Sequence, residues 1–336
     1  MLRKIFLNLA MLSFLLIAAQ LALGLIGDKA QAYERTPQKP AIVLAAFGTT
    51  EVGALPSILN IRDKVAAAFP GHDVHLAFTS NIIRGIWRER AGDAAFKKAN
   101  PSIPQEIYDI RNALSVLASI QEEGARLVLV QSLHVTDGEE YGDLEKLVAA
   151  LSKYDTFKPV LKPFPWMGVG EPALGLGDGE PAHIERAVAA LKPLADDAKS
   201  AGAALVLMGH GNEHLTQKVY GKLLAALRKA YGPQVYLGTV ESPPHAEEIL
   251  AELKASSGAP SKILLAPLMI VAGDHAINDM AGDEDDSWAS VFKAGGLEVE
   301  SRLSGLGSND SWAGIYVEHL KALAPKVEAL KAKDEG

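Results

Sequence analysis

From residue 40 onward, short apolar runs alternate with longer stretches of helical spacing, and no other feature limits the fold of this chain as tightly. Residues 41–46, 74–78 and 127–130 are runs of strand length, separated by helical patterns at 58–69 and 104–123. Strands that alternate with helices form βαβ units, and such units build parallel sheets, because a parallel partner is reached only through a crossover. The same order returns in residues 203–208, 235–239 and 263–265, with a helical pattern at 215–231 between the first two. Laid side by side, Thr49 falls on His210 and Ser80 on Glu241, both at a spacing of 161, while Glu140 falls on His275 at a spacing of 135. Three run ends in one order, with Gly138 on Gly273, read as an internal duplication of a βαβαβ unit.

The expected fold is therefore α/β, with two similar domains, each a parallel sheet flanked by helices, and an active-site cleft between them. A length of 336 residues fits two domains better than one. The domains are expected at residues 40–165 and 183–308, joined by a Gly-rich linker or insertion at 166–182. Residues 309–336 form a C-terminal helix that packs back on the domains.

Residues 1–32 stand apart. Arg3 and Lys4 precede an apolar stretch over residues 5–26, and Ala30-Gln31-Ala32 follows. A basic start, an apolar core and a small-x-small site describe a secretory signal peptide cleaved after Ala32, which puts the mature protein in the periplasm. The apolar stretch also approaches the length of a membrane span, so an uncleaved anchor is the alternative.

Composition removes several classes of function. The chain has no cysteine, which excludes thiolate zinc sites, cysteine-ligated iron–sulfur clusters and cysteine nucleophiles. Any metal must bind His, Asp, Glu or carbonyl oxygen, a donor set suited to Co²⁺, Ni²⁺, Zn²⁺ or Fe²⁺. A net charge of −8 argues against a nucleic-acid partner. Neither G-x-G-x-x-G nor G-x-x-x-x-G-K-[ST] follows the first run, so no nucleotide is expected, and no G-x-S-x-G elbow is present.

Ligands of open parallel sheets bind beyond the carboxyl ends of the strands. His210, Glu241 and His275 end the three runs of the second half, and Glu139 and Glu140 follow the third run of the first. Brought to one cleft, two imidazoles and a carboxylate make a divalent-metal site with open positions. Each residue also has a plain structural reading, as a turn, cap or solvated carboxylate. His210 is distinguished by flanking Gly209 and Gly211, which permit close approach of a large ligand.

Phe47-Gly48-Thr49, Ala77-Phe78-Thr79-Ser80, Gln131-Ser132-Leu133-His134, Gly138-Glu139-Glu140-Tyr141, Met208-Gly209-His210-Gly211, Val240-Glu241-Ser242-Pro243, Ser304-Gly305-Leu306-Gly307 and the run from Pro267 to Met280 resemble the anaerobic cobalt chelatase family known as CbiK. The resemblance covers residues 40–325. It implies an ATP-independent class II chelatase that inserts Co²⁺ into sirohydrochlorin on the route to cobalamin. It also implies that His210, His275 and Glu140 are catalytic and that His210, Glu241 and His275 meet the metal. Thr49, Ser80, Arg84 and Glu139 are the expected substrate contacts. Arg84, Arg88 and Arg90 are candidates to pair with the eight carboxylates of sirohydrochlorin, or form a solvated helix face. Glu139 stands where the family carries Asp, which leaves open which of the two glutamates faces the site. Two features depart from the family's pattern: the export signal, and the Gly-rich segment near 165–182.

Two other functions compete: an exported metal- or tetrapyrrole-binding protein, and a ferrochelatase acting with Fe²⁺. A cleft suited to one tetrapyrrole suits haem as well, with His134 as the candidate axial ligand. The other role for His134 is a hydrogen bond that shapes the loop after the third run. A homo-oligomer is the expected assembly.

Overall fold

The computed structural model describes residues 40–158, 161–211 and 216–334; the expected signal peptide, residues 1–32, lies outside them. Ala41–Ala46 forms strand β1, buried along its whole length, as the apolar run requires when both faces of a parallel sheet are covered. Helix α1, Leu55–Ala68, follows with Pro at its start and buries Leu55, Ile58, Ile61 and Val65 at helical spacing. Next comes β2, Asp73–Phe78. The polar stretch after it is helical: α2, Asn81–Gly92, is capped by Ser80, and α3, Ala94–Ala99, is capped by Asp93. The expected helix over 104–123 divides into a single turn, α4, Gln105–Tyr108, and α5, Ala113–Glu122. The break is set by Asn112, whose side chain accepts from Ser115 N and starts α5 afresh. Strand β3, Leu127–Ser132, helix α6, Glu139–Lys153, and strand β4, Trp166–Gly170, complete the first half.

The second half runs α7 (Pro181–Ala190), α8 (Lys192–Ser200), β5 (Ala204–Gly209), α9 (Thr216–Tyr231), β6 (Val235–Thr239), α10 (Ala246–Ala255) and β7 (Lys262–Pro267). It ends with a π-helical turn (Ala276–Met280), α11 (Trp288–Ala294), β8 (Glu298–Ser301) and α12 (Asp310–Asp334). Among the described residues there are two four-stranded parallel sheets, in the orders β2-β1-β3-β4 and β6-β5-β7-β8, and no helix long and apolar enough to cross a membrane. The duplicated unit thus has four strands rather than three.

Residues 166–182 are not a linker throughout. The first five are β4, paired with β3, and the last two enter α7. The glycines that suggest a loop serve close packing: a Cβ at Gly168 would lie 2.8 Å from Val327 of α12, and one at Gly170 would collide with the Gln131 side chain. The halves exchange their last helices. After β4 the chain crosses and α8 packs on β5; after β8 it crosses back and α12 packs on β3, β4 and α1.

Backbone hydrogen bonds correct the expected alignment at one position. Thr79 N donates to the Ala46 carbonyl and Ser80 N to that of Phe47; their counterparts are Val240 N to Gly209 and Glu241 N to His210. Ser80 is therefore the counterpart of Glu241, but Phe47, not Thr49, is the counterpart of His210. Gly48 and Gly211, the residues that follow, both have positive φ, 103° and 89°. The connection between first and second strands is two residues longer in the first half, and apolar runs carry no internal mark that would reveal the slip. The third pair stands: Gly142 N donates to Gly138 and Ile277 N to Gly273, which sets Glu140 opposite His275.

Candidate active site

The carboxyl ends of the two sheets meet at a cleft of about 440 Å³ lined by residues of both halves. His210 leaves β5 directly. Gly211 after it turns the chain sharply, and a Cβ there would lie 2.7 Å from Thr239 Oγ1 and 2.9 Å from Ser242 Oγ, so glycine is needed. The His210 Nδ1 sits 3.0 Å from the Gly211 carbonyl oxygen, so Nδ1 carries the proton and donates, and Nε2 keeps its lone pair. His275 is arranged likewise: its Nδ1 lies 2.5 Å from Asp279 Oδ2, one turn further along the chain. Glu241 is held beside His210 by its own backbone N, which donates to the His210 carbonyl at 2.8 Å.

One ligand atom from each of His210, Glu241 and His275 lies within 4.8 Å of the others. The two imidazole rings stand edge to face, their centroids 4.9 Å apart. Both imidazoles thus present Nε2 while Nδ1 is held by an outer partner, the arrangement that orients histidine ligands in metal sites. His210 and His275 line the cleft with Glu241 grouped beside them, and three protein ligands leave coordination positions for other donors.

The opposite wall, from the first half, is mainly apolar. Phe47 is 47 % exposed and Ile82 77 %, and both line the cleft with Ile83 and Ile86 of α2. Glu140, in the first turn of α6, also lines it. Thr49 and Ser80 line the cleft with their hydroxyls already engaged: Thr49 Oγ1 accepts from Glu51 N at 3.0 Å, and Ser80 Oγ caps α2.

Arg84 is not a substrate contact. It is 7 % exposed, and its guanidinium donates to the Phe78 and Thr79 carbonyls and to Asn81, tying α2 to the end of β2. Arg90 donates to the Thr50 carbonyl and stacks over Trp87; Arg88 is solvated. His134 makes the hydrogen bond of its loop-shaping role: its Nδ1 is paired with Ser132 Oγ at 2.8 Å, and its Nε2 is buried with no partner among the described residues. Burial pushes this imidazole down to about 4 against a weaker opposing pull from Glu140, so it stays neutral at pH 7. Tyr316 donates to its carbonyl at 3.1 Å, and His134 shapes the loop after β3.

Three site residues escape a reading of the sequence. Phe47 hides inside a motif as the end of an apolar run. Asp279 carries a signal, four residues after His275 on a helical turn, where side chains meet. Tyr220 of α9 is buried where the halves join, bonded to Gly211 and Thr136, and burial pushes its phenol up to about 12.

Residues 40–324 match the family model described as cobalt chelatase (CbiK), a span that runs through the Gly-rich segment. The chain is 34% identical over 284 residues to the sirohydrochlorin cobaltochelatase CbiKC of Nitratidesulfovibrio vulgaris, covering 84% of this chain and 90% of that one. It is 32% identical over 293 residues to the sirohydrochlorin cobaltochelatase of Salmonella typhimurium, covering 86% and 98%. Among solved structures, the sirohydrochlorin chelatase SirB of Bacillus subtilis subspecies spizizenii, in complex with cobalt, shares the fold with a TM-score of 0.54 at 13% identity, over 87% of this chain and 98% of that one.

Proposed function

The chain belongs to the cobalt chelatase (CbiK) family and is a metal chelatase; from that premise we propose that it inserts Co²⁺ into sirohydrochlorin without a nucleotide, on the route to cobalamin. The observation that carries the reading is the convergence of His210, Glu241 and His275, with both imidazoles engaged at Nδ1 and free at Nε2 among the described residues. Such a set holds a borderline divalent ion and leaves positions open for the incoming pyrrole nitrogens. The macrocycle lies against the apolar wall of Phe47, Ile82, Ile83 and Ile86. As metal–nitrogen bonds form, two pyrrole N–H bonds break and two protons must leave. Glu140, on the wall opposite the metal ligands, takes up the first, and a histidine released by the departing ion takes up the second. Neither step needs phosphate chemistry.

The test is anaerobic spectrophotometry of the protein with sirohydrochlorin and Co²⁺, scored against the rate without protein. Saturable insertion above that rate supports the reading; a rate equal to the background sinks it. The same donor set accepts Fe²⁺ and Ni²⁺, so the metals are compared in the same assay. We also propose that the enzyme acts in the periplasm after removal of residues 1–32, a reading supported by their basic, apolar, Ala-x-Ala order. N-terminal sequencing of protein from the periplasmic fraction is expected to start at Tyr33; recovery only from membranes with Met1 intact would contradict it.

A further inference from the structure

A second group of metal-binding side chains lies away from the cleft, on the connection between the two halves. Glu171 follows β4, Glu180 precedes α7, and His183 sits in the first turn of α7; one ligand atom from each lies within 4.8 Å of the others. None of the three lines the cleft described above. His183 is 9 % exposed, and its Nδ1 is buried with no hydrogen-bond partner among the described residues. An orphaned buried nitrogen is costly unless something binds it. It points between two carboxylates, 3.7 Å from Glu171 Oε2 and 3.7 Å from Glu180 Oε2.

That distance is informative. It is too long for a hydrogen bond, which needs roughly 2.7–3.2 Å. It is close to the separation of two ligands on one ion: bonds of about 2.1 Å at tetrahedral angles put donor atoms roughly 3.4 Å apart. Gly175, at φ +80°, passes over the imidazole, and a Cβ there would lie 2.4 Å from the His183 Nδ1. The far side is closed by His319 of α12, whose ring centroid is 4.5 Å from that of His183 and whose Nδ1 is paired with the Glu171 carbonyl at 3.0 Å.

We infer that Glu171, Glu180 and His183 form a second divalent-cation site, for Co²⁺, Zn²⁺ or Ni²⁺, with water in the fourth position. One imidazole and two carboxylates suit these borderline ions. Its place in the fold gives it a structural role. Residues 171–180 carry the chain from the first sheet to the second, and α7 packs on both α9 and α12. An ion here pins the crossing segment to α7 where the halves join.

The experiment uses the metal alone and is independent of the proposed reaction. Equilibrium dialysis against Co²⁺ is performed on the full chain carrying His210→Ala and His275→Ala, which disables the cleft ligands. One equivalent of bound Co²⁺ is expected to remain, and Co²⁺ is expected to raise its Tm, because a ligand that binds only the folded state stabilises it. Adding Glu180→Gln, a change at a side chain 53% exposed, is expected to weaken the remaining binding at least tenfold and remove the Tm shift. His183→Gln is the second variant, with circular dichroism to check its fold. No bound Co²⁺ in the His210→Ala, His275→Ala protein overturns the proposal, as does binding that survives Glu180→Gln unchanged.

Discussion

The two halves have one backbone plan and opposite surfaces. At the three equivalent strand ends the second half carries His210, Glu241 and His275, and the first carries Phe47, Ser80 and Glu140. The glycine turns that support them are the same: Gly48 and Gly211 both have positive φ, and a Cβ at either would strike the last residue of the neighbouring strand, Phe78 or Thr239. At these three strand ends the divergence lies in the side chains. The second half brings His210 and His275 to the cleft, and the first brings Phe47, the isoleucines of α2 and one carboxylate, Glu140. On the function proposed above, a duplicated unit would divide the work of metal insertion, the second half holding the ion and the first the macrocycle.

The largest expected effect breaks the second wall. His210→Ala and His275→Ala are each expected to lower Co²⁺ insertion by more than about 100-fold with the fold intact, since loss of an outer partner alone costs roughly 10- to 100-fold at metal sites. Near wild-type insertion by either variant would make the residue structural. Asp279→Asn comes next. Its position in the first half is taken by buried Leu144, so no equivalent carboxylate exists there. A drop of about 10- to 100-fold in Co²⁺ affinity is expected; an unchanged affinity would mean that the His275 orientation does not matter.

The first half carries an effect on stability instead. In the unfolded chain His134 titrates near its ordinary ~6.5, and in the fold burial holds it down to about 4. Between those values the unfolded chain binds the proton and the folded chain does not, so stability rises from pH 4 to 6.5 and is level above. The slope is at most about 1.4 kcal/mol per pH unit, so urea unfolding at pH 5 and pH 7 should differ by up to about 2 kcal/mol from this residue. His134→Asn is expected to reduce that difference; an unaltered difference would show that His134 is not the group responsible. The smallest effect is Phe47→Ala, which removes one aromatic contact and should raise KM for the tetrapyrrole about two- to tenfold, with kcat little changed.

Much of this was legible in the sequence, and the gaps have physical causes. Parallel strands buried on both faces read as apolar runs, so β1, β3, β5, β6 and β7 are visible, and the ends of β5, β6, β7 and β3 locate His210, Glu241, His275 and Glu140. β4 was hidden because its glycines, which admit α12 and the Gln131 side chain, look like loop residues. β8, with the sequence Glu-Val-Glu-Ser, is an edge strand with no apolar run to mark it. The role of Arg84 is not legible because a sequence shows that a cation is near a site but not which carbonyls it already binds. The pairing of His210 with Thr49 failed because a two-residue difference in a connection is invisible where the strands themselves carry no marker.

The division between the halves is tested most directly by measuring binding of each substrate separately to one variant of each wall. Co²⁺ affinity is measured without tetrapyrrole, in a Glu180→Gln background that removes the proposed second site, and sirohydrochlorin affinity is measured without metal. His210→Ala is expected to weaken Co²⁺ binding strongly and leave sirohydrochlorin affinity within about twofold, while Phe47→Ala does the reverse, weakening sirohydrochlorin about two- to tenfold and leaving Co²⁺ unchanged. If His210→Ala instead lowers sirohydrochlorin affinity and leaves Co²⁺ binding intact, the assignment of the ion to the second half is wrong.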